Sequence, residues 1–209
     1  MKITCISASN MANQSTAQGT SYALCKVVLD EIKRIWENSQ GSIIELKGKT
    51  IHPCEGCGEC YHSHRCIFKD DFNSIYTKII ISDIVFIISP HYAPIPAKLS
   101  ALLEKMEQIA FLHWGKDNTY RSEVYIISHG GGEAWALQDY KRMVNDTIAN
   151  ALETIQMKIV PFKEEWNTGI SLPVKRAIFR EDSIFPAQEY DWDSITEKIA
   201  EYIRKFDIK

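Results

Sequence analysis

Apolar and polar positions along this chain follow two periods, and the changes between them predict its strands and helices. Residues 1–7, MKITCIS, start with a short apolar run that ends in small polar side chains, the pattern of a buried first strand. From Thr16 to about Asn38 the period lengthens. Leu24, Val27, Val28, Ile32 and Ile35 recur at helical spacing, and Asp30, Glu31, Lys33, Arg34 and Glu37 take the opposite face. SIIEL, Ser42 to Leu46, is a second short strand. Lys47 to Asp71 has no apolar period and is rich in Gly, Cys and His, so it reads as an ordered loop. Asp70 or Asp71 is placed to cap a helix through Phe72, Ile75, Ile79 and Ile80. DIVFIIS then forms an uninterrupted strand ending at Pro90.

The alternation continues with a Pro-rich loop (His91 to Pro96), a helix from about Lys98 to Leu112, a strand from Val124 to Ser128 and a triple glycine, Gly130 to Gly132. A further helix is predicted from about Ala134 to Ile155 and a fifth strand near Lys158 to Phe162. An irregular stretch runs to about Tyr190, and a last helix at about 191–206 carries Ile195, Ile199, Tyr202 and Ile203. Five strands separated by helices predict an α/β fold, a doubly wound five-stranded parallel sheet with helices on both faces, because parallel neighbours need helical crossovers. With 209 residues and no repeat or linker, one domain over 1–209 is expected.

Charge narrows the partners. Twenty-four Lys and Arg against 27 Asp and Glu, spread along the chain, leave no basic stripe for a nucleic-acid backbone. No apolar run approaches the ~20 residues needed to cross a bilayer, and the start lacks the pattern of a signal peptide. A cytoplasmic protein with neither nucleic acid nor membrane as partner is expected.

In an open sheet of this kind a ligand sits beyond the carboxyl ends of the strands. The loop after strand one, SASNMANQST, offers Ser9, Asn13, Ser15 and Thr16 just before a helix, where hydroxyls and backbone N–H groups can bind a phosphate. Ser15 or Thr16 as a plain helix cap is the competing reading. The loop after strand three, SPHYAPIP, is stiffened by prolines, and its backbone groups and Tyr92 suit a flat heteroaromatic ring; an ordinary connection is the alternative. Candidates here are Pro90, His91, Tyr92, Ala93 and Ile95. The loop after strand four, SHGGG, contributes Ser128, Gly130 and Gly131, where missing Cβ atoms permit unusual backbone angles and close approach of a ligand, or simply a flexible turn.

SPHYAPIPAKLSALLEK resembles the second flavin loop and following helix of the flavodoxin-like NAD(P)H-dependent FMN reductases. The first loop departs from that family's pattern, with Ala8, Ser9, Asn10 and Met11 where a glycine and a basic residue are usual. The resemblance implies a flavodoxin-like sheet of order 2-1-3-4-5, bound FMN, NAD(P)H as a transient electron donor and a homodimer or homotetramer.

The sharpest motif is Cys54-x2-Cys57-x2-Cys60-x5-Cys66 in HPCEGCGECYHSHRC. Three thiolates at steps of three can wrap one inorganic cube while a fourth arrives from beyond a turn, with Gly56 and Gly58 allowing backbone amides to approach sulfide. Two other readings stand beside it: structural zinc on some of these cysteines with His52, His62 or His64, and free thiols that bind nothing. The segment resembles the cysteine motif of iron-sulfur flavoproteins, a branch of the same family, which implies that the four cysteines hold a 4Fe-4S cluster.

Trp114, Trp135, Trp166 and Trp192 read as core or subunit contacts, and His113 and His129 as surface or hydrogen-bonded residues. No catalytic acid or nucleophile is assigned, since a flavin carries its own redox chemistry. The expectation is an FMN-dependent oxidoreductase or electron-transfer flavoprotein serving a small acceptor, quinone, flavin or protein. A non-catalytic module that uses the cysteine loop for protein interaction is the rival.

Overall fold

A computed structural model of the chain describes residues 1–10, 19–113, 120–178, 181 and 187–206. Strands β1 (Lys2–Ser7), β2 (Gln40–Glu45), β3 (Ile84–Pro90) and β4 (Glu123–His129) pair in parallel in the order β2-β1-β3-β4. The fifth position is shared. β5 (Lys158–Ile159) pairs with the start of β4, and β6 (Ile170–Leu172) with its end. The expected strand from Lys158 to Phe162 is therefore shorter: at Phe162 the main chain leaves β4 and its N–H donates to the Trp166 carbonyl. It returns at Gly169, where φ is 119° and a Cβ would lie 2.2 Å from the Ile126 carbonyl oxygen.

Side chains alternate across the sheet as its period of two requires. Ile84, Phe86 and Ile88 of β3 and Tyr125 and Ile127 of β4 share one core with α1 (Thr20–Ile35). Val85, Ile87, Val124 and Ile126 point to the other, under α3 (Phe72–Ile80) and α4 (Ala97–Leu112). Cys60–Ser63 forms a single helical turn, α2, inside the cysteine loop.

After β4, α5 (Leu137–Tyr140) and α6 (Asp146–Thr154) run on through a π-helical turn at Lys141–Asn145, so the predicted long helix is interrupted by a wider turn. The stretch expected to be irregular contains β6 and an antiparallel pair, β7 (Arg176–Ile178) with β8 (Ala187–Glu189). The last helix, α7 (Trp192–Ile203), sends Ile195, Ile199 and Tyr202 to the α1 side. Its N-cap is Asp191, whose carboxylate accepts from the Ser194 N–H. Among the described residues no helix is long and apolar enough to cross a membrane.

Candidate functional site

The parallel ladder delivers three chain segments to one edge of the sheet. Beyond β1 the Ala8 N–H donates to the Ile88 carbonyl, and beyond β3 the His91 N–H donates to the His129 carbonyl at 2.7 Å. The SPHYAPIP loop therefore leaves the sheet already fastened to β4. It turns tightly: the Tyr92 N–H meets the Pro94 carbonyl, and Ala93 sits at a φ of 60°, a left-handed conformation that side chains disfavour. Tyr92 is exposed, and Ile95 packs against the core.

The glycine loop is shaped by Tyr140. A Cβ on Gly130 would lie 2.4 Å from the Tyr140 hydroxyl, and one on Gly132 would lie 2.5 Å from the Ala136 methyl. The Gly132 N–H donates to the Tyr140 hydroxyl at 2.6 Å, and the His91 ring lies 5.5 Å from the tyrosine ring. None of the three glycines has a positive φ; Gly130 and Gly132 serve close packing and not unusual backbone angles, while Gly131 faces only the end of the Gln188 side chain. Ser128 is buried, and its hydroxyl shares a hydrogen bond with the Ser171 hydroxyl at 2.7 Å.

Asn13, Ser15 and Thr16 lie outside the described residues, as does Trp114. The first helix begins at Thr20 with Gly19 as its N-cap, later than its apolar period predicts, and Gly19 brings no side-chain oxygen to the first turn. Ser9 follows β1 and is half-buried. His129, fully buried, bonds through Nε2 to Ser21 Oγ at 2.7 Å and so joins β4 to α1. Burial pushes its pKa down to about 4, which keeps the ring neutral.

Sequence reasoning missed the tail's part in this edge. The Tyr190 hydroxyl donates to Gln188 Oε1 and also interacts with the Thr20 side chain, and Gln188 Nε2 lies 3.2 Å from where a Gly131 Cβ would stand. No period marks Tyr140, Gln188 or Tyr190. Trp135 and Trp192 are exposed, which leaves their expected role as core residues unfilled within this chain. His113 is buried, with its Nε2 3.2 Å from the Cys60 carbonyl and its ring stacked on His64.

Cys54, Cys57, Cys60 and Cys66 line one small cavity of about 20 Å³, closed by Ile67, Phe68, Lys105, Gln108 and Ile109. Burial raises the Cys60 thiol above its usual pKa; a local backbone hydrogen bond opposes this, and Cys54, Cys57 and Cys66 add to the rise. Gly56 and Gly58 have φ values of 66° and 75° with open space where a Cβ would be, so here conformation is the reason for glycine. The Gly56 N–H approaches Cys54 Sγ at 3.4 Å.

Side chains from α3, from α4 and from the two residues that lead into α3 hold this loop by its backbone. Asp71 accepts from Thr50 N–H, Asp70 from His52 N–H and Glu104 from Cys54 N–H, at 2.8 to 2.9 Å. Asn73 accepts from Cys66 N–H and donates to the Cys66 carbonyl. Asp70, and not the N-cap residue Asp71, is the carboxylate that meets the Phe72 N–H at the start of α3.

A description of the NADPH-dependent FMN reductases matches residues 1–162. The chain belongs to that family. An iron-sulfur flavoprotein of Archaeoglobus fulgidus is 27% identical over 88 residues, a stretch that is 41% of this chain and 40% of that protein's length. The NAD(P)H:quinone oxidoreductase of Methanothermobacter marburgensis superposes with a TM-score of 0.58 at 13% identity, covering 98% of this chain and 93% of the other. RosB, solved with a bound 8-demethyl-8-formylriboflavin-5'-phosphate, gives 0.60 at 12% identity over 98% and 76%. These structural likenesses concern the fold alone.

The family's FMN is consistent with the polar inventory of the edge. Among the described residues Asn10 Oδ1, His91 Nε2 and His129 Nδ1 are buried without a hydrogen-bond partner, and they follow β1, follow β3 and end β4. Buried polar atoms of this kind call for a partner, and a flavin offers both ring donors and acceptors. Among the described residues no three His, Cys, Asp or Glu side chains gather closely enough to hold one metal ion. Four thiols lining one cavity are the donor set that a 4Fe-4S cluster takes, one cysteine on each iron, whereas a single zinc needs its ligands to converge at ~2.3 Å from one point.

Proposed function

We propose that this member of the NADPH-dependent FMN reductase family is an oxidoreductase or electron-transfer flavoprotein. It takes electrons from NAD(P)H or a reduced carrier and passes them through FMN to a small acceptor, quinone, flavin or protein. The observation that carries the reading is the set of unpartnered polar atoms of Asn10, His91 and His129 along one sheet edge, beside a strained turn at Ala93. FMN, when bound, accepts a hydride at its ring and releases electrons singly or in pairs.

The chain's own residues position it. Pro90, His91, Tyr92, Ala93 and Ile95 present the stiff turn to the ring, and Ser128, Gly130 and Gly131 form the facing wall through their main chain. Ser9, Asn13, Ser15 and Thr16 precede the amino end of α1, a 16-residue helix without an acidic residue in its first turn; that terminus suits the phosphate. Cys54, Cys57, Cys60 and Cys66 hold a 4Fe-4S cluster in this reading, supported by their shared cavity and by the likeness to an iron-sulfur flavoprotein. The working protein is a homodimer or homotetramer.

Anaerobic purification followed by a visible spectrum and iron, sulfide and zinc analysis tests both parts. Flavin bands, with a broad brown absorbance that Cys57→Ser removes, are expected. A protein that stays colourless after incubation with FMN refutes the redox reading. Zinc in place of iron and sulfide refutes the cluster while leaving the flavin assignment intact.

A further inference from the structure

A buried ion pair stands against the cysteine cavity. Lys105, on the inward face of α4, lies between Ala101 and Ile109 where the helical period calls for an apolar side chain. Its Nζ is 2.6 Å from Asp70 Oδ2, and the two side chains are 2% and 0% exposed. The ammonium also lies over the Phe68 and Phe72 rings at 5.4 and 5.3 Å. Lys105 lines the cavity with the four cysteines; Asp70 does not, and its oxygens are taken by Lys105 and by the His52 and Phe72 N–H groups. Lys105 and Phe68 thus both border the cavity, and the ammonium is held next to Phe68 by Asp70, which is not among the lining residues.

Stability is a poor reason for such a pair. Desolvating two charges costs about as much as their attraction returns, and well-packed apolar residues commonly do as well or better. An electrostatic role toward the neighbouring thiol-lined cavity accounts for a charge kept on the inward face of α4.

We propose that Lys105, positioned by Asp70, is the residue that raises the reduction potential of a cluster held by Cys54, Cys57, Cys60 and Cys66; this rests on the cluster reading above. Reduction adds one electron, one iron passes formally from ferric to ferrous, and no bond is made or broken. The added negative charge is stabilised by a nearby buried cation, and net charge near the cluster is one of the terms that set its potential. Glu55 also lines the cavity but is exposed, so water screens it.

The test is an anaerobic redox titration with dithionite and mediators, followed by electron paramagnetic resonance, on protein reconstituted with iron and sulfide. Lys105→Met is expected to move the midpoint to lower potential and Asp70→Asn to higher potential, with Lys105→Arg close to the parent. Opposite signs from two partners of one ion pair are not what a loosened loop produces. Shifts in the same direction, or none, with iron content unchanged, overturn the proposal. Should Lys105→Met fail to fold, the Lys105→Met/Asp70→Asn double variant leaves no orphaned charge and must titrate below the parent, or the proposal is wrong. Failure of the parent protein to take up about four iron per chain instead removes the cluster reading, and this proposal with it.

Discussion

The loops after β3 and β4 are fastened by main-chain pairing and one tyrosine, whereas the cysteine loop is fastened by side chains of α4, of α3 and of the acidic pair that leads into α3. In the first region the His91 N–H to His129 carbonyl bond extends the sheet ladder, and Tyr140 fills the space that Gly130 and Gly132 leave. In the second, Asp70, Asp71, Asn73 and Glu104 each hold a backbone N–H of the loop, and Asp70 also anchors Lys105. The contrast is one of cause. Strand ends position the loops after β3 and β4 and leave their shape to packing, while a long loop without period needs charged anchors at defined points.

The strongest way to break this contrast is Asp70→Ala. It leaves the Lys105 ammonium buried without a counter-charge, so a loss of ~3–5 kcal/mol is expected in urea denaturation. A loss below about 1 kcal/mol would mean that the loop does not depend on this anchor.

Acid separates the two regions by pH window. His129 has a folded pKa of about 4 against an ordinary 6.5, so between these values the unfolded chain binds more protons and stability falls as pH drops. Over that window the loss is on the order of 3 kcal/mol, and His129→Gln should flatten it. At Asp70, burial alone would raise the pKa, but Lys105 and the His52 and Phe72 N–H groups outweigh it and hold it below the usual 3.8. Asp71 is lowered chiefly by the Thr50 N–H and then by Lys49. Their stabilisation is present above pH ~4 and is lost as pH falls through their lowered folded values. Proton uptake on unfolding, measured with wild type and Asp70→Asn, should show the two windows separately.

A smaller effect sharpens the packing argument. Gly130→Ala forces the Tyr140 hydroxyl away and should cost ~1–3 kcal/mol, with weaker FMN retention. Gly131→Ala meets only the end of the Gln188 side chain and should stay within ~0.5 kcal/mol in thermal melts. Equal losses would remove Tyr140 as the reason for the glycine loop. A local effect on the other region belongs to Asn73→Ala, where the loss of the two Cys66 backbone hydrogen bonds should cost ~1 kcal/mol and speed hydrogen exchange at Cys66 without changing it at His91.

Much of the fold was legible because its signals are local. The uninterrupted apolar run of β3 and the helical stripe of Leu24, Val28 and Ile32 predicted elements that the structure contains. The split of the fifth strand was not legible, since Phe162 and Val160 are apolar and buried whether or not their backbone pairs with β4. At the site, the cysteine spacing and SPHYAPIP stand out in the chain, but their supports do not. Tyr140 and Tyr190 are aromatics like many others until the fold brings them to the sheet edge. Lys105 did carry a signal: a cation on the apolar stripe of a helix demands a buried partner, and the acidic pair Asp70 and Asp71 opens the helix before β3.

Sequence alone determined the order of the first four strands and their helices, the family resemblance and which four thiols share one segment, because period and spacing are properties of neighbouring residues. The tertiary structure decided that the glycine loop is a packing surface for Tyr140, that the tail closes over the sheet edge, and that a buried lysine borders the cysteine cavity. Those outcomes depend on desolvation and close contact between residues as far apart as Asp70 and Lys105, for which the linear chain carries no distance.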